Sequence, residues 1–186
     1  IILLALLNPL TSFLGTLSLV TYAFLYTPLK RYSPVSVIVG AIPGALPVLI
    51  GMIAHDGVVT TGALFLFAIQ FIWQFPHFWS IGFLSYDQYK HAGYKLLPED
   101  DGQIDRRLGT QTLVYTCLLI PVIAIGFIMQ LISIWGAIGL VLVSSYFIWR
   151  AWVFYRRFDN ASARALMFSS FIFLPLALLV LWWGIQ

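Results

Sequence analysis

The sequence of 186 residues contains few charged side chains, since only 9% are Asp, Glu, Lys or Arg and 61% are hydrophobic. Soluble domains usually carry about 25% charged residues, so the composition excludes an ordinary water-soluble protein. The single cysteine, Cys117, excludes an internal disulfide and a cysteine-based metal site. The mean hydropathy of +0.93 and the long apolar runs indicate a protein that crosses a bilayer several times.

Six apolar segments predict complete membrane-spanning helices. Helices of about 20 residues span a bilayer, whereas barrel strands are about half as long and alternate in polarity. The predicted spans cover residues 10–27, 34–53, 58–83, 109–131, 133–155 and 165–185. We therefore predict an all-α, multi-span transmembrane helix bundle that forms a single domain over residues 1–186. The stretch Ile1–Leu7 is typical of the last part of a helix, which predicts that the sequence is the C-terminal part of a longer protein.

The basic residues are distributed unevenly along this pattern. All ten Lys and Arg residues lie in or beside the segments 28–33, 84–108 and 150–164. If the spans alternate in direction, these segments share one side, which the positive-inside rule makes cytoplasmic, or the matrix side in a mitochondrion. Topology thus explains the basic pI of 9.1, and no nucleic-acid partner is needed. Six of the seven acidic residues lie on the same side, so we expect a functional site there.

The third span contains polar residues within the stretch WQFPHFWS. Gln70, Gln74 and His77 follow the spacing i, i+4, i+7 and so share one helical face. Polar residues inside a membrane usually face a cavity or the interior of a bundle, which predicts a polar wall of a substrate chamber. Hydrogen bonding between helices is the alternative, and we favour it for the two glutamines. A neutral imidazole at His77 could ligate a metal or a heme iron, or pass a proton.

The segment Asp87–Arg107 mixes acidic and basic residues densely. Carboxylates suit Mg²⁺, which one or two of them typically hold together with substrate phosphates. Asp87, Asp100 and Asp101 are the candidate metal ligands. The alternative is a solvated loop with surface ion pairs, and charge alone does not separate the two.

The stretch YTPLKRYS places Tyr26 and Lys30 four residues apart at a predicted membrane edge, with Arg31 as a second cation. Arg binds phosphate as a planar fork and Lys as a point charge, so this group could hold a diphosphate. Ordinary positive-inside flanking of a span is the alternative, and the spacing alone slightly favours it.

Four segments in this order resemble the heme O synthases, which are protoheme IX farnesyltransferases of the UbiA-type intramembrane prenyltransferase superfamily. The segments are YTPLKR, GAIPGALPVLIG, WQFPHFW and DQYKHAGYKLLP. The resemblance is strong from Tyr22 to about Arg107 and extends to the later spans by pattern. WQFPHF and AGYKLLP are the most discriminating parts, whereas the Tyr26–Lys30 spacing is shared across the superfamily.

The resemblance implies a nine-helix bundle around a central cavity, of which this chain would supply the C-terminal two-thirds. It implies that Tyr26, Lys30 and Arg31 bind or polarise the diphosphate. Asp87 and its loop would form the second of two Asp-rich motifs that hold Mg²⁺ and the prenyl diphosphate. His77 matches the histidine of the PHF motif and is a candidate for contacting the heme.

Two departures from the family pattern bear on these implications. The first Asp-rich motif would precede Ile1, so the resemblance implies that the residues given would not catalyse alone. Many relatives carry an acid directly before the loop tyrosine, where this chain has Gln88. Asp100 or Asp101 would then share the metal with Asp87.

The activity implied is transfer of farnesyl from farnesyl diphosphate to a vinyl group of heme B, which gives heme O for terminal oxidase assembly. The implied setting is the bacterial cytoplasmic membrane, or the mitochondrial inner membrane in a eukaryote, among membrane lipids. Heme A synthase and oxidase assembly factors would be partners. Two alternatives stay open: a related prenyltransferase acting on an aromatic or quinone precursor, and a non-enzymatic transport or heme-handling protein.

Overall fold

The computed structural model describes residues 1–184, and most of these residues are helical. The elements are α1 Ile2–Leu7, α2 Pro9–Val20, a π-helix Thr21–Tyr26, α3 Thr27–Leu29, α4 Ser36–Asp56, α5 Thr61–Leu84, α6 Tyr86–His91, β1 Glu99–Asp100, β2 Gln103–Ile104, α7 Arg107–Cys117, α8 Leu119–Ile128, α9 Ile134–Arg157 and α10 Asn160–Gly184. The two short strands form an antiparallel hairpin. The predicted all-α class is therefore confirmed.

Six helical segments are long and apolar enough to cross a membrane, which confirms the predicted number of spans. They cover Pro9–Leu29, Ser36–Asp56, Thr61–Leu84, Arg107–Ile128, Ile134–Arg157 and Asn160–Gly184. Helices suit this setting because every backbone N–H and C=O inside a bilayer needs a partner within the protein.

The last span begins at Asn160 rather than at residue 165. The Asp159 carboxylate accepts the backbone N–H of Ser162 at 2.7 Å and its hydroxyl also at 2.7 Å. This cap satisfies free N–H groups at the helix start, so the helix begins before its apolar run. The predicted end at residue 185 lies outside the described residues.

Local sequence also sets other helix ends. Asn8 caps α2 by accepting the Thr11 N–H at 2.8 Å, and Pro9 follows at the first position, where a missing N–H costs nothing. Ser133 caps α9 by accepting the Gly136 N–H at 3.1 Å. Helix α4 ends at Gly57, whose φ of 76° requires the left-handed region that glycine adopts most readily.

The described residues form two compact units, and the prediction of a single domain stays a prediction. The first unit comprises residues 1–71 and 93–96. Its apolar core consists of Leu14, Leu46, Leu49, Ile53 and Ala63. The Asn8 side chain ties α2 to the end of α4 by donating to the Ile53 carbonyl at 3.1 Å.

The second unit comprises residues 72–92 and 97–184. Its interior is rich in aromatic contacts, such as Phe147 on Phe173, with ring centroids 5.1 Å apart. Where α9 begins and α10 ends, Gly136 and Gly184 let the two helices approach closely, since a Cβ on Gly136 would lie 3.0 Å from the Gly184 Cα. A close helix pair thus forms the frame of this unit.

Candidate functional site

Tyr26 and Lys30 lie at the end of the first span, around a π-helical turn. A proline inside a helix lacks an N–H and crowds the carbonyl four residues earlier, and Pro28 occupies such a position. The chain adapts by widening the preceding turn, where both the backbone N–H and the hydroxyl of Thr27 donate to the Tyr22 carbonyl, the hydroxyl at 2.9 Å. Such π-helical turns occur often at functional sites.

The Lys30 ammonium lies between two aromatic rings in the first unit. Its Nζ is 4.5 Å from the ring centroid of Tyr94 and 5.8 Å from that of Tyr26. Aromatic faces attract a cation without neutralising its charge. Among the described residues of this unit, Lys30 forms no ion pair. Lys30 is half-buried and Arg31 next to it is exposed, so the positive charge at this span end remains available to an anion.

A backbone contact joins two of the motifs identified in the sequence. The Lys95 N–H donates to the Lys30 carbonyl at 2.8 Å, which attaches the AGYKLLP segment to the end of the first span. Gly93 has a φ of 75°, a conformation that glycine supplies without strain. The turn at Gly93 precedes Tyr94, whose ring contacts Lys30.

Tyr26 is held against the backbone of α4. A Cβ placed on Gly40 would lie only 2.7 Å from the Tyr26 Cδ2 atom, so the ring occupies the space that any larger residue would need. The Tyr22 ring also packs on Tyr26, with ring centroids 5.3 Å apart. Gly40 therefore has a packing role, because it leaves room for the Tyr26 ring.

His77 lies in the second unit, on α5, and contacts α10. Its Nδ1 atom is 2.7 Å from the Ser170 hydroxyl. The imidazole stacks on the Trp73 ring at 4.6 Å and 13°, and it meets the edge of Phe171 at 5.1 Å. The Trp73 indole N–H donates to the Ser170 carbonyl at 2.9 Å. A buried serine thus receives two side chains of the WQFPHFW motif.

The two glutamines lie on the same helix as His77. Helix α5 runs without a break from Thr61 to Leu84, which confirms that Gln70, Gln74 and His77 share one face. Both glutamine side chains are half-buried. Their assignment to a substrate cavity stays a prediction.

Helix α6 and the hairpin that follows it form a small polar assembly in the second unit. The Lys90 ammonium donates to the Gly102 carbonyl at 2.8 Å and to the Tyr86 hydroxyl at 3.2 Å. Asp101 and Gly102 have φ values of 47° and 78°, as in the tight type I′ turns that favour Asp-Gly. The hydrogen bond to Tyr86 raises the pKa of Lys90 above its usual value of 10.5. Lys90 therefore holds the hairpin turn as a cation.

The candidate metal ligands lie on this assembly. Asp87 is in the first turn of α6, and Asp100 and Asp101 are on the hairpin. All three are exposed. Within residues 1–184, no group of three or more His, Cys, Asp or Glu side chains lies close enough to hold a metal ion. Exposed carboxylates nonetheless have the oxygen-donor chemistry of Mg²⁺, which needs only one or two of them beside phosphate oxygens.

Sequence reasoning missed two residues of these sites. Tyr94 lies inside a recognised motif, but its approach to Lys30 depends on a tertiary contact. Ser170 belongs to a pair of serines, Ser169 and Ser170, in an otherwise apolar span. Polar residues in such a span are costly and mark a bundle interior, and that signal could have directed attention to Ser170.

Three curated relatives of this chain carry the same name. The chain is 40% identical to the protoheme IX farnesyltransferase of Cytophaga hutchinsonii over 163 residues, which are 88% of this chain and 57% of that protein. It is 37% identical to the protein of the same name from Christiangramia forsetii, over 97% of this chain and 61% of that protein. It is 39% identical to the protein of the same name from Flavobacterium johnsoniae, over 97% of this chain and 61% of that protein.

The chain therefore spans about 60% of the length of these relatives. No solved structure matches it significantly. The UbiA prenyltransferase family matches residues 1–183, which is nearly the whole sequence. The chain belongs to the UbiA prenyltransferase family.

Proposed function

We propose that the protein is a prenyltransferase that moves farnesyl from farnesyl diphosphate to a vinyl group of heme B and so forms heme O. The observation that carries this proposal is the Lys30 ammonium, which lies between Tyr26 and Tyr94 with no ion pair in its unit. The name shared by the relatives supports heme as the acceptor.

The diphosphate would bind at the end of the first span. Lys30 and Arg31 would neutralise its oxygens as the leaving charge develops. Asp87, Asp100 and Asp101 would hold a divalent cation, which we propose is Mg²⁺ and which would supply further positive charge to the diphosphate. Tyr26, fixed against Gly40, would orient the group.

The transfer would proceed in three steps. The carbon–oxygen bond of farnesyl diphosphate breaks, and its electron pair leaves with the diphosphate. The π electrons of the heme vinyl group then form the new carbon–carbon bond to the allylic cation, which leaves a cation beside the porphyrin ring. Water adds to that carbon and loses a proton, which gives the hydroxyl group. Aromatic faces stabilise both cations while they exist. An apolar bundle keeps water away from the allylic cation.

The acceptor would lie against α5. His77 presents an imidazole that is held by Trp73, Phe171 and Ser170, and it would contact the heme. Gln70 and Gln74, on the same face of α5, would line the cavity.

The membrane setting follows from the six spans and the charge pattern. The Lys30 end of the first span and the Asp87–Arg107 segment would face the cytoplasm, or the mitochondrial matrix. We propose the bacterial cytoplasmic membrane, or the mitochondrial inner membrane in a eukaryote. Heme A synthase and terminal oxidase assembly factors are the partners that this reaction would serve.

The test uses the full-length protein in membranes with heme B, farnesyl diphosphate and Mg²⁺. Heme O is measured by chromatography and mass spectrometry, and a His77→Ala variant is assayed beside the wild type. Heme O from the wild type and a loss in the variant, with folding intact, would support the reaction and the role of His77. Heme O from both would retain the enzyme and make His77 a packing residue. No heme O beside an active control enzyme would overturn the heme acceptor.

A further inference from the structure

The hydroxyl of Ser170 lies within hydrogen-bond distance of the His77 Nδ1 atom. We propose that Ser170 is a positioning residue that fixes His77 as the Nδ1–H tautomer, so that the unprotonated Nε2 is presented to the iron of a heme substrate. The identity of the ligand rests on the proposed function. The tautomer does not, because it follows from contacts within the second unit.

The serine hydroxyl has one hydrogen and two close polar neighbours. Its oxygen lies 2.5 Å from the Met167 carbonyl oxygen and 2.7 Å from the His77 Nδ1 atom. A carbonyl can only accept, so the hydroxyl hydrogen must lie between Ser170 and Met167. Nδ1 of His77 must then donate to the serine oxygen. A neutral imidazole that carries hydrogen on Nδ1 has its lone pair on Nε2.

The contacts around the ring keep this arrangement in place. Ser170 is fully buried, and its carbonyl accepts the Trp73 indole N–H, so one residue anchors both side chains of α5. Trp73 covers one face of the imidazole and Phe171 meets it edge-on. Among the described residues of this unit, the Nε2 atom has no hydrogen-bond partner.

This arrangement is the one that a metal-ligating histidine needs. The hydrogen bond made by one ring nitrogen sets the tautomer and raises the basicity of the other. An unprotonated ring nitrogen is the usual proximal ligand of a heme iron. The opposite tautomer would present Nε2–H, which can donate a hydrogen bond but cannot ligate iron.

The first test needs no heme and no activity. The protein is labelled with ¹⁵N-histidine, and the ring nitrogen shifts are measured by NMR at a pH where the ring is neutral. The sequence contains three histidines, and a His77→Gln variant assigns the signal. We expect a protonated Nδ1 and an unprotonated Nε2 at His77. A protonated Nε2 in the wild type would overturn the proposal.

The second test measures porphyrin binding by Ser170→Ala. Loss of a residue that orients a metal ligand typically costs 10–100-fold in affinity, so we expect about 10-fold weaker binding of heme B. Binding of iron-free protoporphyrin IX should not change, because it has no iron to ligate. Ser170→Thr, which retains the hydroxyl, should restore heme B binding.

Ser169→Ala is the matched control. Ser169 is equally buried, but its hydroxyl donates only to the Leu166 carbonyl of its own helix, so its loss should leave heme B binding unchanged. Equal weakening of both porphyrins by Ser170→Ala would overturn the positioning role and indicate lost packing. A confirmed tautomer in a protein that makes no heme O would overturn the proposed function and leave the Nδ1–H assignment standing.

Discussion

Lys30 and His77 are both polar groups at the membrane spans, and the structure surrounds them in opposite ways. Lys30 contacts aromatic faces, which leave its charge intact. His77 makes a hydrogen bond through Nδ1 to a buried hydroxyl. The first environment keeps a full positive charge, and the second selects one form of a neutral ring.

The difference indicates two kinds of ligand. An ammonium without an ion pair attracts an anion at any geometry, since Lys acts as a point charge. An imidazole fixed by a hydrogen bond offers one lone pair in one direction, which suits an iron centre. Each prediction below separates these two environments or refines one of them.

The largest expected effect comes from removing each polar group in turn. Lys30→Met should lower the rate of farnesyl transfer by about 10²–10³-fold, the usual cost of one donor to a developing negative charge, and should leave heme B affinity unchanged. His77→Ala should lower the affinity for heme B by about 10–100-fold and leave the affinity for farnesyl diphosphate unchanged. Product formation and the two dissociation constants measure both effects.

Lys95→Met is the control for Lys30→Met, because it removes an exposed lysine while its backbone bond to Lys30 stays. It should retain activity. If either Lys30→Met or His77→Ala weakened the binding of both substrates equally, the assignment of one substrate to each environment would be wrong.

Gly40→Ala should destabilise the protein by about 1–2 kcal/mol, because its Cβ would lie 2.7 Å from the Tyr26 ring and overpacking costs more than the helix propensity gained. Thermal unfolding in detergent measures the change. Gly51→Ala is the matched control on the same helix, since a Cβ there meets no atom within 4 Å. It should be neutral or stabilising by up to about 1 kcal/mol. Equal stability of the two variants would contradict the packing of Tyr26 on Gly40.

Tyr94→Leu tests the aromatic environment of Lys30. The cation–π contact is worth about 0.5–2 kcal/mol, so the KM for farnesyl diphosphate should change about two- to thirty-fold. Tyr94→Phe retains the ring and should behave like the wild type. If Tyr94→Phe were as impaired as Tyr94→Leu, the hydroxyl and not the ring would be the functional part.

Lys90→Met should produce the smallest effect, a looser hairpin turn with little change in global stability. Lys90 is fully exposed, and exposed polar contacts contribute little. Faster amide hydrogen exchange around Gly102 would measure the loosening. In the wild type, the raised pKa of Lys90 means that its contacts with Gly102 and Tyr86 persist below pH 10.5 and weaken only as the pH rises through the raised value. Unchanged amide exchange in Lys90→Met would show that the hairpin turn is stable without the Lys90 contacts.

The sequence predicted what depends on local pattern. Hydropathy is a property of each segment, so all six spans were predicted, and helical periodicity correctly placed Gln70, Gln74 and His77 on one face of α5. The start of the last span was placed too late because the Asp159 cap lies before the apolar run.

What the sequence could not predict depends on contacts between distant residues. The sequence around Lys30 does not predict its contact with the Tyr94 ring, and the sequence around His77 does not predict its contact with Ser170. The metal-binding roles of Asp87, Asp100 and Asp101 were predicted from charge, and the structure places these residues on α6 and the hairpin. Tertiary packing brings Tyr94 to Lys30 and Ser170 to His77, and packing is a property of the folded chain.

The π-helical turn at Thr21–Tyr26 changes the rotational register of the first span. A π turn holds about one residue more than an α turn, and one residue corresponds to about 100° of rotation. Every side chain after the turn is therefore turned by that angle relative to a regular continuation of α2. Lys30 owes its direction to that rotation, so deleting one residue and converting the turn to a regular α turn would leave Lys30 facing the same way.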